Sequence, residues 1–217
     1  MPATINHSRP GRREANARDK MDRILSAALA LFAERGFHGT AVPEVARQAG
    51  VGAGTIYRYF EHKEDLVNAV FRVSKLKLKG YLLDDMDLST DTREVFHQFW
   101  QRLCRFAMDN PVDFHFLELQ DHVPYLDSTS KNLELEVLAP IWAFCVQGRR
   151  DGTLNDMPAE ALMAMVWGAF VGLMKSRVLG YLTIDQHTLD QAEDTCWRML
   201  APHFQHHKRT SNQGELP

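Results

Sequence analysis

The stretch that decides the fold is residues 45–60, VARQAGVGAGTIYRYF, which reads as two short helices joined by a tight turn at Gly50. Apolar residues form one face of each helix: Val45, Ala46 and Ala49 on the first, and Ile56 and Phe60 on the second. Isolated helices below about 12–15 residues are marginal in water. These two must therefore pack on each other and on a third helix, which is the arrangement of a helix-turn-helix.

The second of these helices has an outward face of suitable size for DNA. If Ile56 and Phe60 point inward, the residues left facing solvent are Gly54, Thr55, Arg58 and Tyr59. This surface is too small for a catalytic site, but a helix of this width fits the major groove. The pattern therefore predicts a DNA-binding element.

The charge distribution supports that prediction, although the net charge is only −3. Residues 1–79 hold 14 Lys and Arg against 8 Asp and Glu, whereas residues 80–217 hold 11 against 20. A basic first third on an acidic remainder indicates that one part of the chain meets a polyanion.

Composition places the chain among soluble cytoplasmic proteins. It is 45% apolar and 24% charged, as ordinary globular domains are. Its three cysteines are far apart and form no CxxC, which is typical of thiols in a reducing compartment. No secretory signal opens the chain, and the longest apolar run, residues 161–174, is shorter than the roughly 20 residues that span a membrane. We expect no membrane partner.

Helical periodicity continues through the chain, so the predicted fold class is all-α. An N-terminal three-helix unit with the helix-turn-helix is joined by a linking helix to a larger helical ligand-binding and dimerisation domain. The expected divisions are a flexible basic arm (1–18), the helix-turn-helix domain (19–65), the linking helix (66–83), the effector-binding and dimerisation domain (84–205) and a flexible tail (206–217). The linking helix is assigned an apolar face of Leu66, Ala69, Val70, Val73 and Leu76.

The segments GFHGTAV (36–42), GVGAGTIYRYF (50–60) and KEDL (63–66) strongly resemble the DNA-binding domain of TetR-family transcriptional regulators. The resemblance covers roughly residues 19–70 and includes the turn glycine, the Tyr-x-x-Phe pattern and the lysine that follows. It implies an all-helical homodimer that binds a palindromic operator through its N-terminal domain and a small effector through its C-terminal domain. It implies neither a cofactor nor an enzymatic activity.

By position, the resemblance implies nine DNA-contacting residues. Phosphate contacts are implied for Tyr57, Tyr59 and Lys63, and proximity to the DNA backbone for Thr40 and Ala41. The base-facing set is Ala53, Gly54, Thr55 and Arg58. The family often has Ser where this chain has Gly52, and a polar or basic residue in place of Ala53. Base readout is therefore expected to depend on Arg58, on contact between Ala53 and a thymine methyl group, and on DNA shape.

The C-terminal half contains more aromatic residues on its predicted helix faces than a packing stripe needs. We expect an apolar effector pocket with His97 and Gln101 as its polar groups. The other expected lining residues are Phe96, Trp100, Phe114, Leu117, Ile141, Phe144, Met163, Trp167 and Phe170. The run 161–174 is apolar on all sides and needs cover on all sides. It predicts a dimer through the last two helices, with Gly168, Gly172, Cys196 and Leu200 at the interface.

Two other functions remain open at the level of sequence. The chain could be a ligand-independent DNA-binding protein whose C-terminal half only dimerises. A helical metal-dependent enzyme is the second alternative, because His115, Glu118 and His122 share one predicted helix. No catalytic motif such as a P-loop, a nucleophile elbow or HExxH accompanies those residues, and no metal site is expected.

Overall fold

The computed structural model describes residues 12–121 and 123–202, which form α-helices and one short 3-10 helix without any strand. In chain order the helices are α1 (Arg12–Arg35), α2 (Val42–Gln48), α3 (Ala53–Ile56), α4 (Lys63–Leu83), α5 (Thr92–Asp109), α6 (Pro111–Leu119), the 3-10 helix (Val123–Tyr125), α7 (Ser128–Arg150), α8 (Ala159–Val178) and α9 (Gln186–Leu200). The all-α prediction is confirmed.

Helix α1 begins at Arg12, earlier than the predicted start at residue 19. The last part of the expected flexible arm is therefore helical, while residues 1–11 and the expected tail at 206–217 lie outside the described residues. The early turns have no apolar period because the segment RREANAR is polar. Its alanines, arginines and glutamate still favour a helix by intrinsic propensity.

Helix α4 is the central element, because it packs on α1, α5, α6, α7 and the 3-10 helix. Its buried stripe differs from the predicted one: Val73 and Leu76 are 47% and 54% exposed, whereas Ser74 and Lys75 are 0% and 6% exposed. The stripe instead repeats every three or four residues through Leu66, Val67, Val70, Phe71, Ser74, Lys75, Leu78 and Leu82. Ser74 and Lys75, although polar, thus occupy stripe positions that are usually apolar.

One continuous apolar cluster runs through both halves of the molecule. It joins Ile24 of α1 and Ile56 of α3 to Phe71 of α4, and continues to Phe170 of α8 and Leu200 of α9. Since a shared core transmits displacement better than a flexible linker, the position of α2 and α3 depends on the packing around α4.

Candidate DNA-binding surface and effector cavity

The turn between α2 and α3 has the geometry that the sequence predicts. Gly50 adopts φ +65°, a left-handed conformation that costs a glycine nothing. Gly52 is extended and caps the start of α3. Ile56 is 1% exposed and Phe60 is 8% exposed. Helix α3 ends at Ile56 and is followed by turns to Phe60; residues 53–60 together are called the α3 segment. Because the Ile56 and Phe60 side chains are fixed in the core, the opposite face of the α3 segment is held in one orientation.

That opposite face is open to solvent. Gly54, Tyr57, Arg58 and Tyr59 are exposed, and the two tyrosines expose 54% and 40% of their surface. Ala53 and Thr55 are partly exposed beside them, and Ala41, at the start of α2, is exposed as well. With Lys63, which is also partly exposed, eight of the nine predicted DNA-contacting residues lie wholly or partly on the surface.

Thr40 is placed differently from the prediction. Its side chain is 1% exposed, and its hydroxyl donates to the carbonyl oxygens of Leu31 (3.1 Å) and Gly36 (2.9 Å). The N-cap residue of α2 is Ala41. The buried hydroxyl ties the loop after α1 to α1 itself, because a short polar side chain can replace the missing bonds of a helix end. Thr40 positions α2 and does not present its side chain to DNA.

Lys63 is also committed within the protein. Its ammonium group donates to the carbonyl oxygens of Phe37 (2.7 Å) and Thr40 (2.9 Å) and lies 4.1 Å from the centre of the Phe37 ring. Two of the three N–H donors of the ammonium group are thus used within the protein. In this conformation Lys63 holds the loop between α1 and α2 against the start of α4.

Part of the positive charge in the first third of the chain is paired with carboxylates of the same molecule. Four cations of α4 form ion pairs with carboxylates of α6, α7 and the N-cap of α7. The pairs are Arg72–Asp127 (2.9 Å), Lys75–Glu134 (3.3 Å), Lys77–Asp113 (2.8 Å) and Lys79–Glu136 (3.1 Å). The charge asymmetry of the sequence therefore reflects attachment of α4 to the C-terminal half as well as a surface for a polyanion.

A cavity of about 490 Å³ lies among α4, α5, α6, α7 and α8. Its wall is mostly aliphatic and aromatic. Six of the predicted pocket residues line it: Phe96, Leu117, Ile141, Phe144, Met163 and Trp167. Pro140 also lines it, at a helical position where proline removes one backbone donor from α7.

The other five predicted pocket residues lie elsewhere. Trp100 is 0% exposed and packs edge to face against Phe170, with ring centres 5.5 Å apart. Phe114 also packs edge to face against Phe170, with ring centres 5.9 Å apart, so these three buried rings pack together in the core. His97 and Gln101 contact the buried carboxylate of Glu193 on α9 at 2.9 Å and 3.1 Å. They join α5 to α9 and do not line the cavity.

The polar part of the cavity wall was missed in the sequence. It consists of Lys75, Glu118, Gln120 and Glu134. The indole N–H of Trp167 donates to Glu118 at 2.9 Å. Burial raises the pKa of the Glu118 carboxyl, against the opposing effect of the Lys75 ammonium. The burial of Lys75 could have been predicted from its spacing, because residues 67, 71 and 75 are four apart on the buried stripe of α4. The charge of the side chain suggested a solvated position instead.

The outer face of α8 is apolar and exposed. Ala164, Met165, Gly168, Ala169 and Gly172 all face solvent, and a Cβ added at either glycine would meet no atom within 4 Å. By length and composition alone α8 could cross a membrane, and only 22% of its most apolar window is buried. Core helices of other proteins pass the same test, so this feature identifies an uncovered face and nothing more.

Two predicted interface residues on α9 are wrongly assigned. Cys196 and Leu200 are each 3% exposed and belong to the protomer's own core. Burial raises the pKa of the Cys196 thiol to about 11. The residues that α9 turns outward include Gln191, Asp194 and Thr195, which are polar. Within the described residues, no group of three or more His, Cys, Asp or Glu side chains is arranged to hold a metal ion. His122 lies outside these residues.

Similarity to known proteins extends over nearly the whole described chain. A structure of a TetR family transcriptional regulator from Vibrio parahaemolyticus has a TM-score of 0.70 and 27% identity, and the match covers 85% of this chain and 100% of that one. An uncharacterized HTH-type transcriptional regulator of Haemophilus influenzae is 24% identical over 183 residues, 84% of this chain and 96% of the relative. The regulator FadR of Bacillus subtilis in complex with stearoyl-CoA shares the fold, with a TM-score of 0.64, 19% identity and coverage of 82% of this chain and 96% of that one.

Two family profiles also match. Residues 24–70 match the profile of bacterial regulatory proteins of the tetR family, and residues 71–201 match that of the tetracyclin repressor-like C-terminal domain. These similar proteins are transcription regulators. The exposed α3 face, the turn that orients it and the two profiles lead to one conclusion: the chain belongs to the TetR family of DNA-binding transcriptional regulators.

Proposed function

We propose that the protein is a dimeric cytoplasmic repressor that leaves a palindromic operator when a small lipophilic effector fills the cavity. The observation that carries this proposal is the shared helix α4. Its first residue, Lys63, holds the loop before α2, and Lys75, Leu78 and Leu82 of the same helix line the cavity. A ligand in the cavity therefore touches the helix whose first turn supports the helix-turn-helix.

The apolar lining supports a lipophilic effector, because ligand sites of this kind are mostly apolar with a few polar groups. The complex of FadR with stearoyl-CoA shows that a protein of this fold can accept an acyl compound. The cavity here is of a size that fits an acyl chain or an aromatic compound. It is also the feature that favours an effector-controlled regulator over a ligand-independent one.

Release would follow from a shift of population. An effector that binds more tightly to the conformer with mis-spaced α3 segments lowers operator affinity by its differential binding free energy, and by no more. Two-fold symmetry of the dimer would match operator half-sites about one helical turn, or a multiple of it, apart.

Arg58 provides the test of DNA recognition. On an operator selected from random DNA, we expect Arg58→Ala to cost about 1–3 kcal/mol and to relax the base preference at one position of each half-site. Arg105→Ala is the matched control, because Arg105 is also exposed but lies on α5. Fluorescence anisotropy with the selected and the base-substituted operators measures both effects. Equal loss with Arg105→Ala, or none with Arg58→Ala, would contradict the assigned surface.

A further inference from the structure

The cavity wall contains three charged side chains close together, each from a different helix. Lys75 comes from α4, Glu118 from α6 and Glu134 from α7. Among the described residues that line the cavity, Lys75 is the one cation, so carboxylates outnumber cations two to one. An apolar cavity with such an imbalance selects among ligands by the charge of their polar group.

Lys75 already has a partner. Its ammonium nitrogen lies 3.3 Å from Glu134 Oε1 and 5.5 Å from the centre of the Phe71 ring. Lys75 is only 6% exposed, whereas the Glu134 side chain is 34% exposed, so the cation of the pair is shielded from water. The pair is costly to break, because the Lys75 charge would remain buried without its partner.

Glu118 is the cavity carboxylate without a salt bridge among the described residues. It accepts one hydrogen bond from the Trp167 indole at 2.9 Å, while Lys75 is occupied with Glu134. Glu118 lines the cavity and is partly exposed there. A neutral indole donor does not balance a carboxylate charge, and the Lys75 ammonium, which opposes the effect of burial on the Glu118 pKa, is already paired with Glu134. This part of the wall therefore favours an incoming cation and repels an incoming anion.

We propose that the effector cavity prefers a lipophilic amine whose protonated nitrogen binds beside Glu118 and Glu134 while its apolar part lies against the aliphatic and aromatic wall. This inference rests on the cavity being the effector site. The ammonium group gains a charge-assisted hydrogen bond to Glu118 without breaking the Lys75–Glu134 pair. A carboxylate on the same skeleton would bring a third negative charge into the cluster.

The test uses three ligands with one skeleton: 6-phenylhexylamine, 6-phenylhexanoate and 6-phenylhexan-1-ol. Binding to the full-length protein is measured by isothermal titration calorimetry at pH 7. We expect the amine to bind at least about tenfold more tightly than the alcohol, and the carboxylate to bind most weakly.

Two variants locate the preference. Glu118→Gln should reduce the amine-over-alcohol ratio to near one, because glutamine keeps the acceptor for Trp167 but has no charge. Glu136→Gln is the matched control. It neutralises a glutamate of α7 that is paired with Lys79 and does not line the cavity. In the wild type, the amine-over-alcohol ratio should also decrease as the pH is lowered, because Glu118 then becomes protonated. The charged and polar groups that face Glu118 are Lys75, Glu134 and Trp167.

The outcomes separate this inference from the proposed function. Equal or tighter binding of the alcohol or the carboxylate would overturn the amine preference and leave the cavity as an effector site. A preference that survives in Glu118→Gln would place the cationic group elsewhere and also overturn it. If none of the three ligands binds, the cavity is not the effector site, and both proposals fail.

Discussion

At the scale of single residues, Lys63 illustrates how one side chain can serve structure and recognition together. Its ammonium group bridges two carbonyl oxygens of the loop between α1 and α2 and stacks on Phe37. The same loop is fixed from the other side by the buried Thr40 hydroxyl. The position of α2 thus depends on two polar groups that bond backbone oxygens rather than on apolar packing alone.

We therefore expect Lys63→Ala to lower the stability of the protein by about 2 kcal/mol, since hydrogen bonds to charged groups contribute roughly 1.5–3 kcal/mol. Operator affinity should fall by a similar factor for all DNA sequences, because the variant displaces the whole α2–α3 unit. Thermal unfolding and anisotropy measure the two effects, and Lys20→Ala, at an exposed site on α1, is the control. An unchanged melting temperature would show that the bridge contributes nothing.

At the scale of elements, α8 has a core-facing side and an uncovered side. The core side includes Leu162, Val166, Phe170 and Met174. The uncovered side is made of small and apolar residues around Gly168 and Gly172, where a second backbone could approach closely. A second copy of the chain would cover this face, so α8 is the proposed dimer helix, and the polar exposed side of α9 would contribute less.

Gly168→Leu tests this interface without damaging the protomer. A Cβ added at the exposed Gly168 meets no atom within 4 Å, and replacing a mid-helix glycine removes a penalty of about 0.5–1 kcal/mol. The protomer should remain folded while the dimer dissociates, which sedimentation velocity and circular dichroism would show together. Arg105→Leu places the same side chain at an exposed site on α5 and should remain dimeric. A dimeric Gly168→Leu protein would move the interface to another face.

The helices themselves show what a single sequence can and cannot predict. The turn at Gly50 and the packing of Ile56 and Phe60 were predictable, because glycine conformation and apolar spacing are local properties. The buried face of α4 was not, because it includes two polar residues: Lys75, whose burial depends on its ion pair with Glu134 of α7, and Ser74, whose hydroxyl is buried without a hydrogen-bond partner among the described residues. Trp100 was assigned to the pocket because an aromatic stripe in the sequence does not show which rings pack against another ring and which line a cavity. In the structure its ring packs against Phe170.

At the scale of the whole molecule, a second route besides α4 joins the cavity to the DNA-binding surface. Gln120 and Val123 line the cavity. Gln120 donates to the Ala33 carbonyl of α1 at 2.8 Å. Tyr125, two residues after Val123, stacks on Phe37 with ring centres 3.9 Å apart, and its hydroxyl lies 2.6 Å from His38 Nε2. Phe37 is the residue whose carbonyl Lys63 binds, so this route and α4 meet at the loop before α2.

The last prediction follows from that meeting point. Tyr125→Ala removes the ring contact with Phe37 but leaves the cavity lining and the α3 face unchanged, so affinities for effector alone and for operator alone should remain close to wild type. Coupling free energies between sites are typically 1–3 kcal/mol. If Tyr125 carries a large part of that coupling, the factor by which a saturating effector lowers operator affinity should shrink about five-fold or more. Tyr181→Ala is the control, because Tyr181 is 81% exposed after α8. Operator anisotropy with and without effector measures the factor directly. If Tyr125→Ala responds like wild type, the Tyr125–Phe37 contact does not transmit the signal, which then passes through α4 or the Gln120–Ala33 bond.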